Sequence, residues 1–322
     1  MSGPEPERAA SGVSPDVGDA DVVVLGEAMR LLVASPGTAL NRATVFGASI
    51  AGAETNVAVG LARLGLRARW LGRVGADAAG DAVLRELRAE GVDVSAVEID
   101  PVRPTGLLLR DSHPARSINV EYRRTGSAAS AMSARFVRAR GLSGARLVHV
   151  TGITAMLSNA AHAAVLSLLE MAREQGATVS FDPNIRYRLA SGLRWRTVVG
   201  PLLDRADLVF AGDDELQVLG QETDSLLDRG VGTVVVKHAD KSASVTTAQG
   251  TWRQPTLARS VVDVVGAGDA LVAGYLGAWL RGRDPREALH AGAVSAALVV
   301  GEVTDIGGLP TAAELGRDEV DR

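Results

Sequence analysis

Apolar positions come in two rhythms along this chain. Asp21-Val22-Val23-Val24-Leu25 is a short β-branched run that stops at Gly26, the pattern of a strand covered on both faces. Apolar stretches near 29–33, 42–47, 104–111 and 117–124 read as strands without intervening helices. They predict hairpins set apart from the main sheet, a small β lid drawn from segments near 28–50 and 103–125.

From residue 53 the spacing alternates between helix and strand. It predicts a helix over 54–64 ended by Gly65, a strand over 67–72, and a helix over 77–90 with Asp77 at its start and Gly91 past its end. The second half continues with strand 146–151, a helix over 158–175 capped by Ser158 and stopped by Gly176, strand 177–181, helix 193–205, strand 207–210, helix 213–219 and strand 232–236. Two long helices rich in small residues follow, about 268–281 and 285–301. This order predicts an α/β fold, a three-layer α/β/α core on a largely parallel sheet, with ligands at the carboxyl ends of the strands. No repeat of 20 to 50 residues is visible, which argues against a solenoid.

Composition narrows the chemistry. The 322 residues are 46% hydrophobic, enough to fill one large core, and the N-terminal stretch 1–20 is rich in Pro, Gly, Ser and acid, so it is expected to form a flexible tail ahead of a domain over 21–322. There is no cysteine, which excludes disulfides, thiolate metal sites and thiol nucleophiles. A net charge of −4 gives no basic footprint for nucleic acid. No basic n-region precedes an apolar stretch, and no segment reaches the ~18 consecutive apolar residues of a membrane span. A cytoplasmic enzyme or binder of small molecules is the expectation.

The segment Asp263-Val264-Val265-Gly266-Ala267-Gly268-Asp269 reads as a strand end, a glycine-rich turn and the first residues of a helix. A helix start leaves backbone N–H groups unpaired and carries partial positive charge, so residues 266–269 are able to hold an anion. Asp269 at the mouth of that cradle is either a general base or a simple helix cap. No G-x-x-x-x-G-K-[ST] loop is present and no G-x-G-x-x-G follows the first strand, which disfavours P-loop, protein-kinase and dinucleotide chemistry.

Gly52-Ala53-Glu54-Thr55-Asn56-Val57-Ala58, continued by Gly60-Leu61-Ala62-Arg63-Leu64-Gly65, resembles the N-terminal signature of ribokinase (PfkB) sugar kinases. The segment Asp263 to Asp269 resembles their C-terminal signature. The resemblance spans about residues 21–315. It implies ATP and Mg²⁺ as cofactors, Asp269 as the catalytic base, and Gly266, Ala267 and Gly268 as the anion hole. Gly52 and Asn56 are implied at the sugar, and a homodimer is implied through the lid. Lys237-His238-Ala239-Asp240-Lys241-Ser242 resembles the family's nucleotide loop with Ala239 and Ser242 replacing glycines; Lys237 and Lys241 are the chain's two lysines. This implies nucleotide contacts at Lys237, Ala239, Lys241 and Ser242. The family's Asn-x-x-Glu appears as Gly212-Asp213-Asp214-Glu215, leaving Glu215 as the candidate near the metal, and Val264 stands where threonine is usual.

Three further segments resemble those of kinases for 2-keto-3-deoxygluconate: Tyr122-Arg123-Arg124-Thr125-Gly126, Thr151-Gly152-Ile153-Thr154 and Asp182-Pro183-Asn184-Ile185-Arg186. They imply substrate contacts from Tyr122, Arg124, Ile153 and Arg186, with Asp305 at the far hydroxyls and Asn184 beside the nucleotide phosphates. An arginine fork suits a sugar acid's carboxylate. Leu108 stands where tyrosine is common, which bears on the choice of sugar. The expected reaction is transfer of the γ-phosphoryl of ATP to a primary hydroxyl of a sugar acid. A neutral sugar such as fructose or a nucleoside remains open, and so does a non-catalytic sugar or nucleotide sensor.

Overall fold

The structure, a computed structural model, describes residues 19–112 and 118–320. Eight strands form the main sheet in the order Gly250–Gln254, Ala243–Thr247, Thr233–Lys237, Leu208–Gly212, Thr178–Asp182, Leu147–Thr151, Val22–Leu25 and Ala68–Leu71. The last six are parallel, and the first two join antiparallel at the edge. Val22–Leu25 is buried along its whole length, as a central parallel strand must be.

Alternate side chains of each strand feed two cores. Val23, Leu25, Val148 and Val150 pack with the helices Asn159–Gln175 and Gly192–Leu203 on one face. Val22, Val24, Leu147 and Phe210 pack with Ala53–Arg63, Ala78–Ala89, Ala267–Leu280 and Pro285–Val299 on the other. The three layers expected from the alternation are therefore present. Helix starts follow local chemistry: Asp77 and Ser158 accept from Gly80 N at 2.8 Å and Ala161 N at 3.0 Å, and Asp284 with Glu287 makes a capping box ahead of Pro285.

A second sheet of four strands runs Phe46–Ala51, Met29–Ala34, Gly106–Arg110, Val120–Arg123, with its own small core of Met29, Leu31, Val33, Ala51 and Leu108. The strand expected near 42–47 begins instead at Phe46, because Leu40–Arg42 forms a turn of 3-10 helix. The expected tail up to residue 18 lies outside the described residues, but Ala20 is buried in the core, so the packed chain begins before residue 21. Among the described residues no helix is long and apolar enough to cross a membrane.

Consecutive strands in the main sheet run outward in opposite directions from Val22–Leu25: the next parallel neighbour in sequence, Ala68–Leu71, lies on one side and Leu147–Thr151 on the other. A crevice opens outside the carboxyl ends at such a reversal. Glu27, Thr151, Asp182, Gly212 and Lys237 all stand at or just past those ends.

Candidate active site

A cavity of about 590 Å³ occupies that crevice, within the range of small-molecule sites. Its floor comes from the core (Gly52, Asn56, Ile153, Gly266, Gly268, Asp269) and its roof from the small sheet (Met29, Leu108, Val120, Tyr122).

The helix Ala267–Leu280 begins at the floor. Its N-cap Gly266 has φ 85°, in the left-handed region, and a Cβ there would lie 2.7 Å from the Asp305 carbonyl oxygen, so only glycine fits. Asp263 shapes the approach by accepting from Val265 N at 3.0 Å. Ala267 N is loosely engaged, 3.4 Å from Val264 O, and the amides behind it have no intrahelical partner. They form a positive rim facing the cavity.

Asp269 lies in the first turn, buried at 8% exposure. Asn56 donates from Nδ2 to its Oδ2 at 2.8 Å, and Asn184 donates from Nδ2 to its Oδ1 at 3.3 Å. Burial pushes its carboxyl up to about 7, with nearby Asp182 adding to the rise; the Asn56 hydrogen bond and the positive charges of Arg186 and Lys237 oppose it. A carboxylate poised there suits proton transfer at neutral pH. Asn56 Oδ1 is buried without a partner, an acceptor at the cavity wall open to a hydroxyl. Asn184 is held at φ 45°, a strained conformation that Asn tolerates better than most residues.

Beside the cradle, Lys237 Nζ sits 2.8 Å from Asp182 Oδ2 and 3.8 Å from Glu215 Oε2. Burial disfavours its charge, but Asp182, Glu215 and Asp269 outweigh this and hold its pKa above the ordinary value. It approaches within 3.8 Å of where a Gly268 Cβ would stand. Glu215, expected near a metal, gives its two oxygens to backbone amides, Ile185 N at 2.6 Å and Gly212 N at 2.7 Å. It braces two strand ends. No group of three or more His, Cys, Asp or Glu is gathered for a metal among the described residues.

Of the residues singled out in the sequence, Gly52, Asn56, Tyr122, Arg124, Ile153, Arg186, Gly266, Gly268, Asp269 and Asp305 line the one cavity, with Asn184 and Lys237 tied to its edge. Ala239, Lys241 and Ser242 do not line it. Their turn closes on itself, with Asp240 Oδ1 accepting from Ser242 N at 3.0 Å and from its hydroxyl at 2.5 Å, and with Lys241 at φ 67°.

Two expected substrate contacts are engaged within the chain. Arg124 lies over the Tyr122 ring at 5.3 Å and is ion-paired with Glu27, whose pKa is raised by burial against the opposing charge of Arg124. Asp305 Oδ1 accepts from Arg110 at 3.0 Å. Arg186 is exposed at the cavity and donates to its neighbour's carbonyl, Ile185 O, at 3.2 Å.

Arg110, Glu27 and Glu54 went unmarked in the sequence. Glu54 is buried, and its Oε1 accepts from the hydroxyls of Thr151 at 2.7 Å and Thr154 at 2.6 Å, tying the start of helix Ala53–Arg63 to the end of strand Leu147–Thr151 and the helix turn that follows it. Glu27 carried a usable signal, an acid directly after a buried strand. Arg110 carried none, being one arginine among many.

Fold and cavity together are those of an α/β enzyme acting on a small molecule. The model for pfkB family carbohydrate kinases matches residues 19–312. The chain is 35% identical over 305 residues to the 2-dehydro-3-deoxygluconokinase of Bacillus subtilis (strain 168), covering 92% of this chain and 94% of that protein. It is 34% identical over 319 residues to the 2-dehydro-3-deoxygluconokinase of Thermoproteus tenax, covering 95% and 96%. The crystal structure of a PfkB protein from Polaromonas sp. JS666 superposes with a TM-score of 0.82 at 37% identity, covering 92% of this chain and 99% of that one. This chain belongs to the pfkB family of carbohydrate kinases. The fold class and the kinase reading made from the two glycine motifs stand confirmed.

Proposed function

We propose that this kinase transfers the γ-phosphoryl group of ATP to a primary hydroxyl of 2-keto-3-deoxygluconate or a closely similar sugar acid. The observation that carries the reading is Asp269, a buried carboxyl with a pKa near 7 beside the unpaired amides of a helix start. The relatives' substrate supplies the sugar.

In this reading the sugar lies in the cavity with its hydroxyls at Gly52, Asn56, Tyr122 and Ile153, and its reacting hydroxyl directed at Asp269. Asp269 accepts the hydroxyl proton as the oxygen bonds to phosphorus and the ADP oxygen leaves. The amides of Gly266, Ala267, Gly268 and Asp269 stabilise charge on the transferring group. Lys237 and Asn184 meet the nucleotide phosphates, with the 239–242 turn further along the nucleotide. Magnesium would supply charge neutralisation on those phosphates; with no group of three or more His, Cys, Asp or Glu gathered for it among the described residues, phosphate oxygens and water would hold it, and Glu215, bonded to backbone amides, would stand behind it.

Arg124 and Arg110 are each committed to acids of the chain, so Arg186 is the cation we assign to the substrate carboxylate. The small sheet acts as a lid that excludes water, and through it two chains pair as a cytoplasmic homodimer.

A panel of sugar acids, neutral sugars and nucleosides in a coupled ADP assay tests the reading. The sugar acid should be turned over best, and Asp269→Asn should keep its fold but lose at least ~10² in kcat. On the alkaline side of the pH profile, where Asp269 is ionised with or without the Arg186 charge, Arg186→Ala should lower kcat/KM for the acid and leave neutral sugars little changed. Preference for a neutral sugar, untouched by Arg186→Ala, overturns the substrate; near-full turnover by Asp269→Asn overturns the base.

A further inference from the structure

Arg110 is the last residue of a small-sheet strand, yet its side chain is 2% exposed and lies within the main body. Its guanidinium donates to Asp263 Oδ2 from one nitrogen; from another it donates to Val303 O at 2.6 Å and Asp305 Oδ1 at 3.0 Å. These acceptors flank one turn from two segments: Asp263 stands at its start, and Val303 and Asp305 lie in the loop after helix Pro285–Val299 that packs against it. Asp263 opens the segment that leads into the cradle and fixes it through Val265 N. Asp305 presents the carbonyl against which Gly266 is pressed. One fork thus grips both sides of the hinge from which the helix Ala267–Leu280 starts.

Burial raises the Asp305 carboxyl, and Arg110 is the largest influence opposing that rise. A guanidinium spans two acids and a carbonyl at once because its donors lie in a fixed plane; an ammonium keeps the charge and loses the span.

We propose that Arg110 is a positioning residue for phosphoryl transfer, locking the small sheet to the anion cradle so that the amides of residues 266–269 are aimed only when that sheet is seated. The proposal rests on the assignment of those amides to the transferring phosphoryl group. It needs no contact between Arg110 and the phosphoryl, so its signature falls on turnover rather than on binding.

The test is Arg110→Lys, with Asp263→Asn as a second variant that keeps the Val265 N acceptor and weakens only the Arg110 end. Melting and circular dichroism establish which variants fold. With the sugar that the wild type turns over best, kcat should fall at least 30-fold while KM for sugar and for ATP each stay within threefold, and the acidic limb of the pH profile should not move. Amide exchange at Val265, held by Asp263, and at Ala270–Ala273, whose amides bond back onto the carbonyls of residues 266–269, should quicken at least tenfold in the free variant, a readout that needs no substrate and therefore stands whatever sugar is accepted. A folded variant with kcat within threefold of wild type, or a loss confined to KM, or unchanged exchange at Val265 and Ala270–Ala273, overturns the proposal. If Arg110→Lys fails to fold, the same readings on Asp263→Asn decide.

Discussion

At the scale of single residues, Asp269 is a carboxyl that the fold keeps partly protonated at neutral pH. The free-enzyme profile of kcat/KM should then rise with pH through an acidic limb near 7, because the base must be ionised to accept a proton. Asn56 donates to the ionised form and so lowers the value; Asn56→Ala should move the limb upward, and a limb that stays put would detach Asn56 from the base. The same shift bears on stability. A carboxyl raised from 3.8 to about 7 favours the folded state fully below pH 3.8, and that contribution is lost as pH rises through the folded value. Asp269→Asn removes this loss, so its stability relative to wild type should grow by about 2 kcal/mol between pH 5 and pH 8, measured by urea melts at both. A constant difference across that range would mean that burial does not perturb Asp269.

Among elements, the cradle separates two jobs that one motif combines. Gly266 serves the backbone: at φ 85° and 2.7 Å from the Asp305 carbonyl, Gly266→Ala should cost at least ~1–2 kcal/mol of stability as well as activity. At Gly268 the space beside a new Cβ is open, with Lys237 3.8 Å away, so Gly268→Ala should fold normally and lose turnover by crowding the phosphoryl group. Equal melting temperatures for the two variants would sink this division. The cradle was legible in the sequence because all its parts are local, a strand end, a turn and a helix start within Asp263–Asp269. The buried strands were legible for the same reason, as was the capping of Asp77 and Ser158. What escaped depends on distant pairing: Arg110 meets acids 153 and 195 residues away, and Glu54 meets Thr151 97 residues away. The edge strands Ala243–Thr247 and Gly250–Gln254 mix polar residues into short runs and went unread for want of an apolar stretch. In Lys237–Ser242 the strand end was readable, but the turn's internal bonding through Asp240 was not.

For the whole molecule, the important contrast is between how its two sheets are held. The main sheet is packed on both faces by continuous apolar clusters, whereas the small sheet has a cluster of five buried residues of its own. Among the described residues Ile50 alone of its strands is buried in a main cluster, and further ties to the body are polar: Arg110 to Asp263 and Asp305, Arg124 to Glu27, and Arg188 to the Val120 carbonyl. Ion pairs and hydrogen bonds of this kind reform after breaking, while a close-packed core resists opening, so the small sheet should be the part that opens locally. Sugar and nucleotide bound in the cavity touch both floor and roof and should hold the two together. Amide exchange should therefore be faster in Gly106–Arg110 and Val120–Arg123 than in Val22–Leu25 for the free enzyme. Sugar acid with a non-hydrolysable ATP analogue should slow the small-sheet strands while leaving Val22–Leu25 unchanged. Equal protection of both sheets without ligand, or no slowing in the small sheet with it, would show a rigid roof and leave substrate entry to some other opening.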